Sequence, residues 1–169
     1  MSDLSSQSQQ IALVSGELSR AWQMLSGESR PFEWVHDSHV RPDYAEFSFV
    51  IPMTVCDDAS TFAVGVLIDR ACAATVAAAM FGAGADDVPV EDLADACSEV
   101  CNIFSDTIAR NLYPDETIDI GLPFLMNEET YANVFDASGD GDIYQSRIEG
   151  TCLTVAVFTH SDTRMQPLV

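Results

Sequence analysis

Eight strand-forming residues, TFAVGVLI (61–68), run through Asp69 and Arg70 into the alanine-rich ACAATVAAAMFG (71–82). The first run is continuously apolar and rich in β-branched and aromatic side chains, which suits a strand buried in a sheet. In the second run, Asp69 is placed to cap a helix that reaches about Phe81 and closes at Gly82. Its many alanines permit close approach to a neighbour. A buried strand feeding directly into a small-sided helix calls for a sheet with helices packed on it.

The flanking segments extend this pattern. AEFSFVIPMTV (45–55) reads as a partner strand, and Asp57 and Asp58 mark the turn between the two. The pair is expected to form a β-hairpin with a buried face. Upstream, Leu4, Ile11, Val14, Leu18, Trp22 and Leu25 recur at three- and four-residue spacings, predicting an amphipathic helix over 4–26 that ends at Gly27. Downstream, Pro89 opens a third helix of about 90–111, and Glu91 and Asp92 suit its dipole. TIDIGLPFLM (117–126) is strand-like, broken by Gly121 and Pro123, and further strands are expected near 143–148 and 151–159. The 169 residues fit one domain, 1–169, of α+β class: an antiparallel-rich sheet against long helices.

Charge narrows the function. The chain carries 27 acidic residues against seven basic ones, all arginine, for a net charge of −20. That field repels phosphate backbones and suits neither nucleic acid nor an anionic membrane surface. A lysine-free acidic surface fits a salty habitat or selection for solubility. No apolar run approaches the roughly 20 residues of a membrane helix, and MSDLSSQSQQ lacks a signal core, so a cytoplasmic protein is expected. The five cysteines, Cys56, Cys72, Cys97, Cys101 and Cys152, read mostly as small buried hydrophobes. Cys97 and Cys101 lie one helical turn apart, but no histidine or second cysteine pair completes a metal site.

The third helix has two distinct sides. At about 100° per residue, Leu93, Cys97, Val100, Phe104 and Ile108 cluster together, with Asp95, Glu99, Asn102 and Asp106 roughly opposite. An amphipathic helix must put something polar outside, and spacing alone supports that plain reading. Asn102 is the less expected member, being a weak helix former at an exposed position.

The pattern Asp95-x-x-x-Glu99-x-x-Asn102, with Pro123 after twenty intervening residues, resembles the signature of the CheX/CheC/FliY chemotaxis phosphatases, most closely the CheX-like branch. AAAMFG before the motif helix and DIGLPFLM after it are similar to that family's surroundings. The resemblance implies a phosphatase acting on the aspartyl phosphate of a CheY-like response regulator. Glu99 would pair with a lysine of the regulator and Asn102 would orient the attacking water. Asp95 would support docking, with Asp106 adding negative charge beside it; Pro123 would be structural. Mg2+ would sit on the regulator, the enzyme needing no cofactor of its own, and a homodimer is implied. The alternative is a non-catalytic regulator-binding or adaptor module of the same fold. The chain departs from the family after Asn102, reading IFSD where small residues including glycine are common; Phe104 is expected to pack inward.

Other signals are weaker. Asp136, Ser138, Asp140 and Asp142 with Gly141 look like half of a calcium loop, yet the twelfth position is Arg147 rather than a bidentate glutamate. A hairpin loop between two strands is the better reading there. His36 and His39 in HDSH lack a helical context, and GAGA (82–85) lacks the lysine and hydroxyl of a P-loop. Ser15, Ser98 and Ser105 have neither a nearby histidine nor a glycine elbow.

Overall fold

The computed structural model describes residues 2–35, 41–137 and 141–159. Its first half runs α1 (Ser2–Ser26), β1 (Glu33–Val35), β2 (Phe47–Val55), β3 (Thr61–Ile68) and α2 (Arg70–Phe81), followed by a 3-10 turn at Ala85–Asp87. Then come α3 (Val90–Leu112), β4 (Ile118–Ile120), β5 (Phe124–Met126), α4 (Glu128–Ala137), β6 (Gly141–Ile148) and β7 (Thr151–Thr159). All strand pairs are antiparallel, in the order β1-β6-β7-β3-β2-β4, with β5 also on β2.

The side-chain alternation of each strand builds two cores. Phe49, Ile51 and Met53 of β2, Val64 and Val66 of β3 and Val155 of β7 face α1, α2 and α3. Val50, Ala63, Leu67, Ala156 and Phe158 point the other way, towards Tyr131 and Val134 of α4. Because β3 is buried on both faces, its sequence is apolar without alternation. Asp69 does double duty: one carboxylate oxygen accepts from the Cys72 N–H at 2.8 Å, capping α2, and the other from the Cys152 N–H at 2.6 Å. The cap therefore also fastens α2 to β7. Gly82 ends α2 in the left-handed conformation, as does Gly27 after α1, where a side chain would be strained.

The break between β4 and β5 has a local cause. The Pro52 carbonyl points towards this outer edge and accepts from the Gly121 N–H at 2.9 Å, but proline has no N–H to return. The ladder is interrupted there, with β4 paired to Met53–Val55 and β5 to Ser48–Val50. A Cβ on Gly121 would lie 2.8 Å from the Pro52 carbonyl oxygen. Gly121→Ala is expected to cost about 1–3 kcal/mol in urea unfolding; a loss below about 0.5 kcal/mol would show that this edge gives way freely.

Two elements differ from the sequence expectation. The mixed stretch after α1 contains the short strand β1, paired to β6. Residues 128–137, expected to lead into a hairpin loop, form α4 instead, capped by Asn127 through the Thr130 N–H at 2.8 Å. A helix, not a strand, therefore precedes the Asp136–Asp142 segment. The cysteines also divide: Cys72, Cys97 and Cys101 are buried, Cys152 is half-buried and Cys56 is exposed.

Burial pushes the Cys97 thiol up to about 12. It does the same to Cys72, also to about 12, although the Arg30 guanidinium opposes it there. Cys101 is raised as well, again by burial. These thiols stay protonated in the fold, whereas unfolded thiols ionise near pH ~8.5. Their contribution to stability is thus full below about pH 8.5 and is lost as pH rises towards about 12. Ellman's reagent at pH ~8 should titrate only Cys56 and Cys152 before denaturant is added. Rapid reaction of a third thiol in the folded protein would contradict this burial.

Candidate functional site

Helix α3 is a fixed platform. Leu93, Ala96, Cys97, Val100, Cys101, Phe104, Ser105, Thr107, Ile108 and Ala109 are buried, so more than half of its circumference is core. It packs on α1, α2 and strands β2 and β3. Phe104 does pack inward, edge-on to Phe32 with ring centroids 5.8 Å apart. Every large side chain on the inner face resists rotation or sliding of the helix, which fixes the outer face in turn.

On that outer face the structure brings the expected residues into one stripe. Asp95 and Glu99 are exposed, one turn apart, and Asn102 is half-buried on the next turn. Ser98, also half-buried, lies one turn before Asn102. Among the described residues, no hydrogen bond or ion pair engages the side chains of Asp95, Glu99 or Asn102. Asp106 differs: its carboxylate accepts from Arg110 Nε at 2.9 Å, an i,i+4 pair exposed to solvent. Glu91, Asp95 and Glu99 repeat at i,i+4 with no cation between them, an arrangement that costs a helix roughly 0.2–0.5 kcal/mol per pair. Helix stability alone would have favoured lysine or arginine at one of these positions.

Chemically, the stripe offers a carboxamide able to donate and accept, with a carboxylate on the adjacent turn. That is a set for positioning water and gripping a cation, without a nucleophile of its own. Pro123 lies in the β4–β5 connection, half-buried, next to the Pro52–Gly121 contact.

Asp136 and Asp142, the described acidic residues of the calcium-loop motif, are held by different partners. Asp136 sits in the last turns of α4 and accepts from Arg41 at 2.7 Å. Asp142 is on β6 and accepts from Trp34 Nε1 at 3.0 Å. Ser138 and Asp140 lie outside the described residues, as do His36, His39 and His160. Among the described residues, no three His, Cys, Asp or Glu side chains are grouped to hold a metal. No helix among them is long and apolar enough to cross a membrane.

Sequence reasoning passed over two exposed apolar side chains near the connection between α2 and α3. Phe81 at the end of α2 and Val90 at the start of α3 are 52% and 54% exposed. Their position at the two ends of the acidic connection 82–89 was the available signal.

An α+β fold with an antiparallel sheet, helices on both faces and this motif-bearing central helix is the fold of the CheX/CheC-like chemotaxis proteins. The chain is similar to the CheX chemotaxis protein from Vibrio vulnificus, with a TM-score of 0.66 and 12% identity, covering 89% of this chain and 98% of that one. A CheX from Desulfovibrio desulfuricans gives 0.61 and 16%, covering 88% and 97%. The CheX in the CheX–CheY–BeF3–Mg2+ complex from Borrelia burgdorferi gives 0.60 and 14%, covering 89% and 97%. No family model and no curated protein sequence matches the chain. The likeness therefore lies in the fold, at identities too low for sequence comparison to register.

Proposed function

We propose that the outer face of α3 hydrolyses the aspartyl phosphate of a CheY-like response regulator. Asn102 enters the regulator's phosphorylation site and holds a water in line with the phosphorus. The water oxygen bonds to phosphorus as the P–O bond to the aspartate breaks, releasing phosphate and a free carboxylate. Glu99, one turn away, grips a lysine beside the phosphoryl group, and Asp95 extends the docking surface. Asp106, paired with Arg110, forms the far rim. Phosphoryl transfer needs placement and charge more than covalent help, which matches a site with no nucleophile. The Mg2+ that neutralises the phosphoryl oxygens belongs to the regulator in this scheme.

The observation that carries the reading is the pairing of Glu99 and Asn102, unengaged by other side chains, on the outward face of a helix locked into the core. The CheX–CheY complex among the similar folds supports the choice of partner. The reading is tested by following phosphate release from a panel of phosphorylated CheY-like regulators with and without the protein. Shortened lifetime of at least one supports it; unchanged lifetimes across the panel would contradict it.

A homodimer belongs to the same proposal, supported by Leu122 and Leu125, which are 85% and 52% exposed on or beside the outer edge strand β5. Sedimentation of wild type against Leu122→Glu/Leu125→Glu tests it. A monomeric wild type would overturn it.

A further inference from the structure

We propose that Arg110 is a positioning residue of the α3 site: by neutralising Asp106 it lets the phosphoryl group approach Asn102 from the C-terminal side of the helix. This rests on the response-regulator reading of α3 and adds the orientation in which the regulator docks. Asn102 lies between two carboxylates, Glu99 three residues before it and Asp106 four residues after it. At those spacings each Cβ is roughly 5–6 Å from that of Asn102. The structure treats the two acids differently. Glu99 has no ion-pair partner among the described residues, whereas Asp106 Oδ2 accepts from Arg110 Nε at 2.9 Å. From residue 71 to residue 146 Arg110 is the only arginine, lysine or histidine, in a span with acidic residues throughout. That single cation stands on the acid next to Asn102.

The pair does little for the fold. Its side chains are 70% and 51% exposed, a setting in which an ion pair contributes little stability, and α3 is already held by its buried inner face. Its consequence at the site is electrostatic. A phosphoryl group carries a charge of roughly −2 near neutral pH. A bare Asp106 carboxylate one turn from Asn102 would repel it, and the separation lies inside the screening length of about 10 Å at 0.1 M salt. With Arg110 in place, the C-terminal side of Asn102 is neutral overall and presents N–H donors. The N-terminal side keeps the unpaired charges of Glu91, Asp95 and Glu99. The stripe is therefore electrically polar along the helix. A lysine of the regulator is drawn towards Glu99, and the phosphoryl group is admitted on the Asp106–Arg110 side. Arg110 also lies in the last turn of α3, where a cation suits the helix dipole. A rescue experiment separates that structural role from the proposed one.

The test follows phosphate release from phosphorylated CheY-like regulators at about 50 mM and about 300 mM NaCl. Wild type is compared with Arg110→Gln, Arg110→Lys and the double variant Asp106→Asn/Arg110→Gln; thermal unfolding checks that each is folded. Arg110→Gln should lower kcat/KM about tenfold at low salt, mainly through KM, and less at high salt. Arg110→Lys should keep most of the wild-type rate, because the cation is retained. The double variant should recover most of the loss, since it removes the repelling carboxylate together with its partner. A helix-end role alone would give no such recovery, because the double variant lacks the cation too. Wild-type kinetics in Arg110→Gln, or a double variant as slow as Arg110→Gln, would overturn the proposal while leaving the hydrolytic reading in place. If wild type accelerates no regulator, that reading fails and this one with it.

Discussion

Arg30→Met is expected to lower stability by about 3 kcal/mol. Arg30 lies in the α1–β1 connection and is 7% exposed. Its Nε donates to the Ser146 hydroxyl at 3.0 Å and its Nη1 to Cys72 Sγ at 3.0 Å. Nη2 reaches the Ser146 carbonyl at 3.2 Å, the Thr151 carbonyl at 3.0 Å and the Thr151 hydroxyl at 2.7 Å. One planar fork thus binds the α1 exit to the β6–β7 hairpin and to α2. Methionine keeps much of the volume but strips these buried acceptors of their donor, each worth roughly 1–3 kcal/mol when left unpaired. Release of a desolvated charge returns part of that loss. For a chain of this size the midpoint of thermal unfolding should fall by roughly 6–12 °C. Arg30→Lys should not restore it, because an ammonium cannot span acceptors on three elements. A shift below about 2 °C on circular dichroism would show that the fork contributes little.

The second large effect is on turnover. Asn102→Ala is expected to slow regulator dephosphorylation by on the order of 10²-fold or more, about 2.7 kcal/mol in the barrier. In the proposed mechanism, removing the carboxamide leaves the water without its orienting group, while the helix, held by its inner face, keeps its place. Alanine is also the better helix former, so stability should not fall. Asn102→Asp should be as damaging, since a carboxylate cannot donate to a phosphoryl oxygen and repels it. Glu99→Lys should act differently: in the proposed complex it sets like charge against the regulator's lysine, and it should weaken association first.

The sequence-level reading succeeded where elements were long and their patterns periodic. The β2–β3 hairpin, α2 with its Asp69 and Gly82 ends, and α3 all follow from local side-chain chemistry. Two elements fell below that threshold. Strand β1 has three residues, too few to show alternation. Helix α4 has ten, and the glycines and aspartates that follow suggested a loop; Asn127 followed by Glu128 and Glu129 was the helix signal that composition obscured. The Glu99–Asn102 face was legible because one helix carries all of it. Arg30 was not, because its partners are 42 to 121 residues away. Remote partners likewise settle where Asp136 and Asp142 sit: Arg41 holds one and Trp34 the other, contacts that no local spacing could show.

The most direct test of the catalytic role is the lifetime of phospho-aspartate on the regulator that binds best. It would be measured with the protein in saturating excess, for wild type and Asn102→Ala side by side, with binding followed in the same samples. The account predicts rapid loss of phosphate with wild type, a lifetime near that of the regulator alone with Asn102→Ala, and equal occupancy in both. Equal lifetimes for the two proteins at equal occupancy would contradict it, leaving the outer face of α3 as a docking surface without hydrolysis.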